Sequence, residues 1–69
     1  MQIRTEVKDR NNKPLGWIVE SNIQKWGYTY KKGPVGYYDK RLKLTKKVNG
    51  EIYSRDDDIR ALVREEARG

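Results

Sequence analysis

The sequence predicts an α+β chain that is mostly β. Five or six short strands form an antiparallel meander, a small open barrel-like sheet, and one C-terminal helix lies across it. Three observations predict this. Over residues 2–53, apolar residues recur at every second position in short runs, the period of half-exposed strands. Turn residues punctuate those runs at Asn11-Asn12, Gly33-Pro34 and Asn49-Gly50. The period then changes, because Ile59, Leu62 and Val63 follow helical spacing in a polar stretch.

The length of 69 residues allows one domain, 1–69. A chain this short buries only about 60% of its unfolded surface. Hydrophobic residues make up 35% and charged residues 38%, so the core is small. Phe is absent, and every aromatic is Trp or Tyr. Such rings carry a polar handle and suit a half-buried sheet or an interface better than a dry core.

Ile3, Thr5 and Val7 alternate with Arg4, Glu6 and Lys8 in a first strand. Residues 9–13 form a turn in which Asn tolerates a left-handed backbone. Pro14 permits a strand start, and Leu15 to Glu20 completes a hairpin. Residues 21–24 connect. Trp26, Tyr28 and Tyr30 share one face of a third strand, while Gly27 leaves a gap on the other. Lys31-Lys32-Gly33-Pro34 turns the chain into a fourth strand, Val35 to Asp39. Leu42 and Leu44 share a face of a fifth. Asn49-Gly50 predicts a type I′ turn with positive φ at both positions, followed by a sixth strand, Glu51 to Tyr53. Ser54 as cap, with Asp57 three residues on, resembles a capping box. Acids in the first turn also suit the helix dipole. The helix is expected over about 56–67, docking Ile59, Leu62, Val63 and Ala67 on the sheet.

Pro14-Leu15-Gly16-Trp17-Ile18 and Pro34-Val35-Gly36-Tyr37-Tyr38 follow one pattern, twenty residues apart. The physical reading is that a neighbouring aromatic crosses the strand at Gly16 and at Gly36. Trp17 and Tyr37 would then occupy equivalent places in two stacked hairpins. The plainer alternative is that hairpins in small β proteins look alike.

Together with Asp39, Thr45, Asn49-Gly50 and Asp58…Ala61-Leu62-Val63, those motifs resemble a loose group of very small bacterial and phage proteins. Their pattern runs turn, Leu-Gly-Tyr, turn, Leu-Gly-Tyr-Tyr-Asp, Thr, Gly, then Asp and a short aliphatic end. The resemblance covers roughly residues 9–63. It implies β-hairpin architecture and a phage or mobile-element setting, with no activity to carry over. This chain departs from the group in its Lys-rich middle and its longer charged helix.

The chain contains no Cys and no His. That removes disulfides, thiolate chemistry and the commonest general base and metal ligand. Asp56-Asp57-Asp58 is the one acid cluster, and it reads as helix capping; neighbouring positions on a helix do not face one another. Lys32-Gly33 lacks the rest of a phosphate-binding loop. No enzyme activity, metal or cofactor is expected. No stretch approaches a membrane span, and no signal peptide is expected from Met1-Gln2-Ile3-Arg4. The expected compartment is the cytoplasm, that of the host if the protein is phage-encoded.

The net charge is +6, which suggests a polyanionic or acidic partner. Solubility alone is the plain alternative. The basic and aromatic residues interleave on two strands, as in nucleic-acid-binding sheets. The candidate binding residues are Lys25, Lys31, Lys32, Tyr38, Lys40, Arg41 and Lys43. Lys31, Lys32, Lys40, Arg41 and Lys43 are expected to converge within one Debye length, about 8 Å. The stripe Trp26, Tyr28 and Tyr30 is expected to face the helix as core, the alternative being a binding surface. Tyr38, on the face of its strand opposite Val35 and Tyr37, is the candidate exposed ring. These features predict a small non-enzymatic module for nucleic acid, DNA or RNA, or for a complex that handles it. The alternative is a module that binds an acidic host-protein surface, or a homo-oligomer built through strand edges.

Overall fold

The computed structural model describes residues 2–68. Six strands form one antiparallel sheet in sequence order: β1 (Ile3–Lys8), β2 (Pro14–Glu20), β3 (Gln24–Thr29), β4 (Gly33–Asp39), β5 (Leu44–Lys47) and β6 (Ile52–Ser54). A helix, α1 (Ile59–Arg68), packs across β1 to β4. The predicted meander with one C-terminal helix is therefore present.

Glycine makes room for the helix. Gly16, Gly27 and Gly36 lie on one face of β2, β3 and β4, and all three are buried. Register places them close together, with Gly27 opposite both Ile18 and Gly36. A Cβ at Gly27 would sit 2.8 Å from Val63 and 2.9 Å from Ile59. One at Gly36 would sit 2.6 Å from Leu62 and would also strike the Lys46 carbonyl oxygen. At Gly16 it would strike the Tyr28 carbonyl oxygen and reach 2.9 Å from Val63. The obstacles at Gly16 and Gly36 are thus helix aliphatics and strand backbone, where the sequence suggested a crossing aromatic. Val7, Ile18 and Val35 from the sheet meet Ile59, Leu62 and Val63 from α1 in the resulting core.

The helix starts later than expected. Its first turn is closed by the Leu62 amide, which donates to the Asp58 carbonyl at 2.9 Å, so Asp58 holds the cap position. Ser54 is no cap; its hydroxyl donates to the Asp56 carbonyl at 3.1 Å. The buried Thr45 anchors the entry from the sheet. Its hydroxyl donates to the Asp56 carbonyl and accepts from the Asp58 amide at 3.0 Å.

Two turns also differ in detail. Gly50 has φ +95°, but Asn49 is not in the left-handed region, so the turn is not type I′. The Gly50 amide donates to the Lys47 carbonyl at 2.9 Å, and the Lys47 amide to the Glu51 carbonyl at 2.8 Å. That is the hairpin built from an ordinary turn plus one left-handed residue. Leu42 lies in the β4–β5 turn, 57% exposed, rather than on a strand face with Leu44.

Because neighbouring strands are consecutive and antiparallel, the turns alternate between two ends of the sheet. Residues 9–13, 30–32 and 48–51 gather at the Asn12 end. Residues 21–23, 40–43 and the entry to α1 gather at the Arg41 end.

Candidate functional site

Alternation places the side chains between the glycines on the opposite face of the sheet, away from α1. Trp17, Val19, Trp26, Tyr28 and Tyr37 all lie there. No described element covers this face. One row of paired positions runs over all six strands: Arg4, Val19, Trp26, Tyr37, Lys46 and Ile52. The next row sets Glu6 opposite Trp17 and Trp17 opposite Tyr28.

The rings pack across strands. Trp17 and Tyr28 stack with centroids 5.1 Å apart and planes 6° from parallel. That separation is close to the strand spacing of about 4.8 Å, so the rings stand upright on the sheet. Tyr30 leans on Trp17 at 4.9 Å, and Trp26 meets Tyr37 at 4.9 Å. The Arg4 guanidinium lies 4.7 Å from the Trp17 ring centre, a cation–π contact. The Tyr30 hydroxyl donates to both carboxylate oxygens of Glu6 at 3.1 Å. Trp17 is therefore held from both sides, by Arg4 and by Tyr28. Tyr30 is the most exposed of these rings, at 54%.

The structure separates the residues singled out from the sequence. The stripe Trp26, Tyr28 and Tyr30 turns away from the helix instead of forming its core. Tyr38 takes the reverse place: it is half-buried on the helix side and packs against the aliphatic core, with Lys25 across the strand at 5.9 Å from its ring centre. It is not the exposed ring. Trp17 and Tyr37 each pack against a ring of β3, but they are not equivalent: they stand in different rows of one sheet, Trp17 stacked on Tyr28 and Tyr37 tilted against Trp26.

The lysines do not converge. Lys31 and Lys32 lie at the Asn12 end; Lys40, Arg41 and Lys43 lie at the Arg41 end, one strand length away. That is about 20 Å for the seven residues of β4, well beyond a Debye length. Three of the seven candidates are held by acids. Lys25 pairs with Asp57 at 2.6 Å, Lys32 with Glu66 at 3.0 Å and Lys40 with Glu20 at 2.7 Å. The Asp57 contact raises the pKa of Lys25, and the Lys40 hydrogen bond lowers that of Glu20. Lys31, Arg41 and Lys43 have no ion pair among the described residues. Asp39, the acid in this basic stretch, accepts the Leu42 and Arg41 amides at 3.1 and 2.8 Å, and these bonds lower its pKa.

Sequence reasoning left out Arg4, Trp17 and Lys46 as members of a surface, and favoured the core for Trp26, Tyr28 and Tyr30. The signal was present in the glycines. A face with Gly16, Gly27 and Gly36 in three consecutive strands invites close approach of a helix, and the rings alternate with those glycines.

No group of three or more acidic, His or Cys side chains that could hold a metal ion occurs among the described residues. No helix among them is long and apolar enough to cross a membrane. No family model, curated protein or solved structure matches this chain.

Proposed function

We propose that this chain is a non-enzymatic binding module that takes single-stranded nucleic acid on the sheet face opposite α1. One observation carries the reading: five of the seven aromatic residues lie on a face that no described element covers. The other two, Tyr38 and Tyr53, pack against the core on the helix side. Bases stack on such rings regardless of sequence, while nearby cations neutralise phosphates. Arg4 and Lys46 stand in the same row as Trp26 and Tyr37, and Lys31 lies beside the most exposed ring, Tyr30. A duplex is the poorer fit, because upright rings on a broad sheet do not form a ridge that enters a groove.

The test is fluorescence anisotropy of labelled oligothymidine, oligouridine and a short duplex across a salt series. Single strands should bind more tightly than the duplex, with log affinity falling steeply against log salt. Lys46→Gln should flatten that slope by about 0.7, the loss of one phosphate contact. Tyr30→Ala should cost about 1–3 kcal/mol. No binding by the wild-type protein at low salt would overturn the reading.

A second reading rests on the apolar residues of the same face. Val19, Leu44 and Ile52 extend the ring surface, and Ile52 is 48% exposed. Trp, Tyr and Arg over an apolar patch also make a protein-binding surface. A protein complex centred there would show little salt dependence.

A further inference from the structure

The candidate residues from the middle of the chain leave one cluster of cations unused. At the Asn12 end, the β1–β2 turn meets the last turns of α1 around an open cleft of about 710 Å³. Lys8, Arg10, Arg64 and Arg68 line it, with Asp9 as the one acid. None of these four cations has an ion pair among the described residues. Asp9 is engaged within its own turn: one carboxylate oxygen accepts the amides of Asn11 and Lys13 at 2.8 and 2.9 Å. Its charge therefore offsets the cleft only in part. Elsewhere in the fold the cations are divided: Arg4, Lys25, Lys32, Lys40 and Lys47 each have a carboxylate partner, while Lys31, Arg41 and Lys43 have none among the described residues. What sets the cleft apart is that four such cations line one space.

The arrangement has a cost. Arg64 and Arg68 stand one turn apart on the helix, a like-charge spacing that weakens a helix. Their position near the helix C-terminus offsets part of this, since the dipole favours cations there. The dipole does not explain why Lys8 and Arg10 are brought to the same place from a separate hairpin. An anion between them would relieve the repulsion from both sides.

We infer that this cleft is a binding site for consecutive phosphate groups. Three features point to phosphate chemistry. Two arginines from α1 and one from the turn offer planar forks that match phosphate oxygens in pairs. The cleft is far larger than one phosphate, so it suits a chain of them. It is also open at the surface, as a site for a hydrated polyanion must be. The ligand is either a free polyphosphate chain or the backbone of a nucleic acid. The site needs no base and no ring, so it stands apart from the aromatic face.

The experiment is a nuclear magnetic resonance titration of the ¹⁵N-labelled protein with sodium tripolyphosphate at constant ionic strength. Saturable shifts are expected at the amides of Lys8, Arg10 and Asn11 and at the side-chain Nε–H groups of Arg64 and Arg68. Arg64→Gln/Arg68→Gln should weaken binding about tenfold or more, since each loses a charged donor to phosphate. Arg60→Gln, on the same helix but outside the cleft, should leave it within about twofold. Both helix positions are exposed, and the retained spectrum of the double variant would report its fold directly. A second arm uses oligothymidine. Shifts at the cleft that tripolyphosphate reverses would assign the phosphates to a nucleic-acid backbone; tripolyphosphate binding without an oligonucleotide effect at the cleft would assign them to a free chain. Shifts that never saturate, that spread evenly over all the cations, or that an oligoglutamate reproduces with equal affinity would overturn the inference. Tripolyphosphate has no base to stack, so failure of the aromatic-face reading would leave this result standing.

Discussion

The amide of Asp58, at the start of α1, donates to the hydroxyl of Thr45 in the middle of β5 at 3.0 Å. The same hydroxyl donates to the carbonyl of Asp56. Thr45 is fully buried, so one side chain supplies partners to two backbone groups where water has little access. It ties the sheet to the helix that covers it.

Thr45→Val keeps the shape and removes the hydroxyl. Both backbone groups then lose their shortest hydrogen bond and keep only those at 3.1 Å, from the Ser54 hydroxyl to the Asp56 carbonyl and from the Asp58 amide to the same carbonyl. The loss should be about 0.5–1.5 kcal/mol per hydrogen bond removed. Thr45→Ser should retain most of the stability. Urea unfolding followed by circular dichroism measures both. Equal midpoints for Val and wild type would mean that water replaces the hydroxyl and that the contact does not fasten the helix.

The three glycines should respond unequally to a methyl group. Gly16→Ala and Gly36→Ala push a Cβ into backbone oxygens of Tyr28 and Lys46, which cannot move without disturbing the ladder. For Gly27→Ala the nearest atoms are instead side-chain carbons of Val63 and Ile59, at 2.8 and 2.9 Å. Overpacking of this second kind costs about 1–3 kcal/mol. The first two variants should lose more than Gly27→Ala, although alanine has the smaller backbone entropy cost in every case. Thermal melts of the three variants give the order. A Gly27→Ala protein that is the least stable of the three would show that side-chain packing, not the strand backbone, limits the approach of the helix.

Acid should destabilise the fold through two carboxylates. The Lys40 hydrogen bond holds the Glu20 pKa below its ordinary 4.5, and the Leu42 amide holds that of Asp39 below its ordinary 3.8. A lowered pKa means that the folded state binds the proton less readily than the unfolded state. The stabilisation is therefore complete above the ordinary values and is lost as pH falls through the folded ones. Both groups face solvent, so the effect should be modest and should shrink with added salt. Lys25 behaves in the opposite sense. Its pKa is raised above 10.5, chiefly by Asp57, so its contribution is complete below that value and is lost as pH rises through the folded one. A plot of Tm against pH should stay level near neutrality and drop below about pH 4.5. Glu20→Gln should flatten part of that drop; an unchanged acid limb would assign it to other carboxylates.

The order of the elements was legible along the chain. Alternation marked the strands, turn residues marked the breaks, and Ile59, Leu62 and Val63 marked the helix stripe, all without reference to anything distant. Asn12 bears this out locally, with φ +64° at the turn where Asn was expected to accept it. What alternation cannot say is which face of a strand the helix will cover. Trp26 and Tyr28 on one side of β3 and Gly27 on the other form the same period-two pattern whichever side is buried. Only the joint position of Gly16, Gly27 and Gly36 in neighbouring strands decided it, because the helix needs a trough and the rings do not leave one. The grouping of charge was likewise a matter of tertiary structure. Lys32 and Lys40 are eight residues apart on one hairpin, yet an antiparallel strand carries them to opposite ends. Arg10 and Arg64 are far apart in the chain, yet the return of the helix brings them to one cleft.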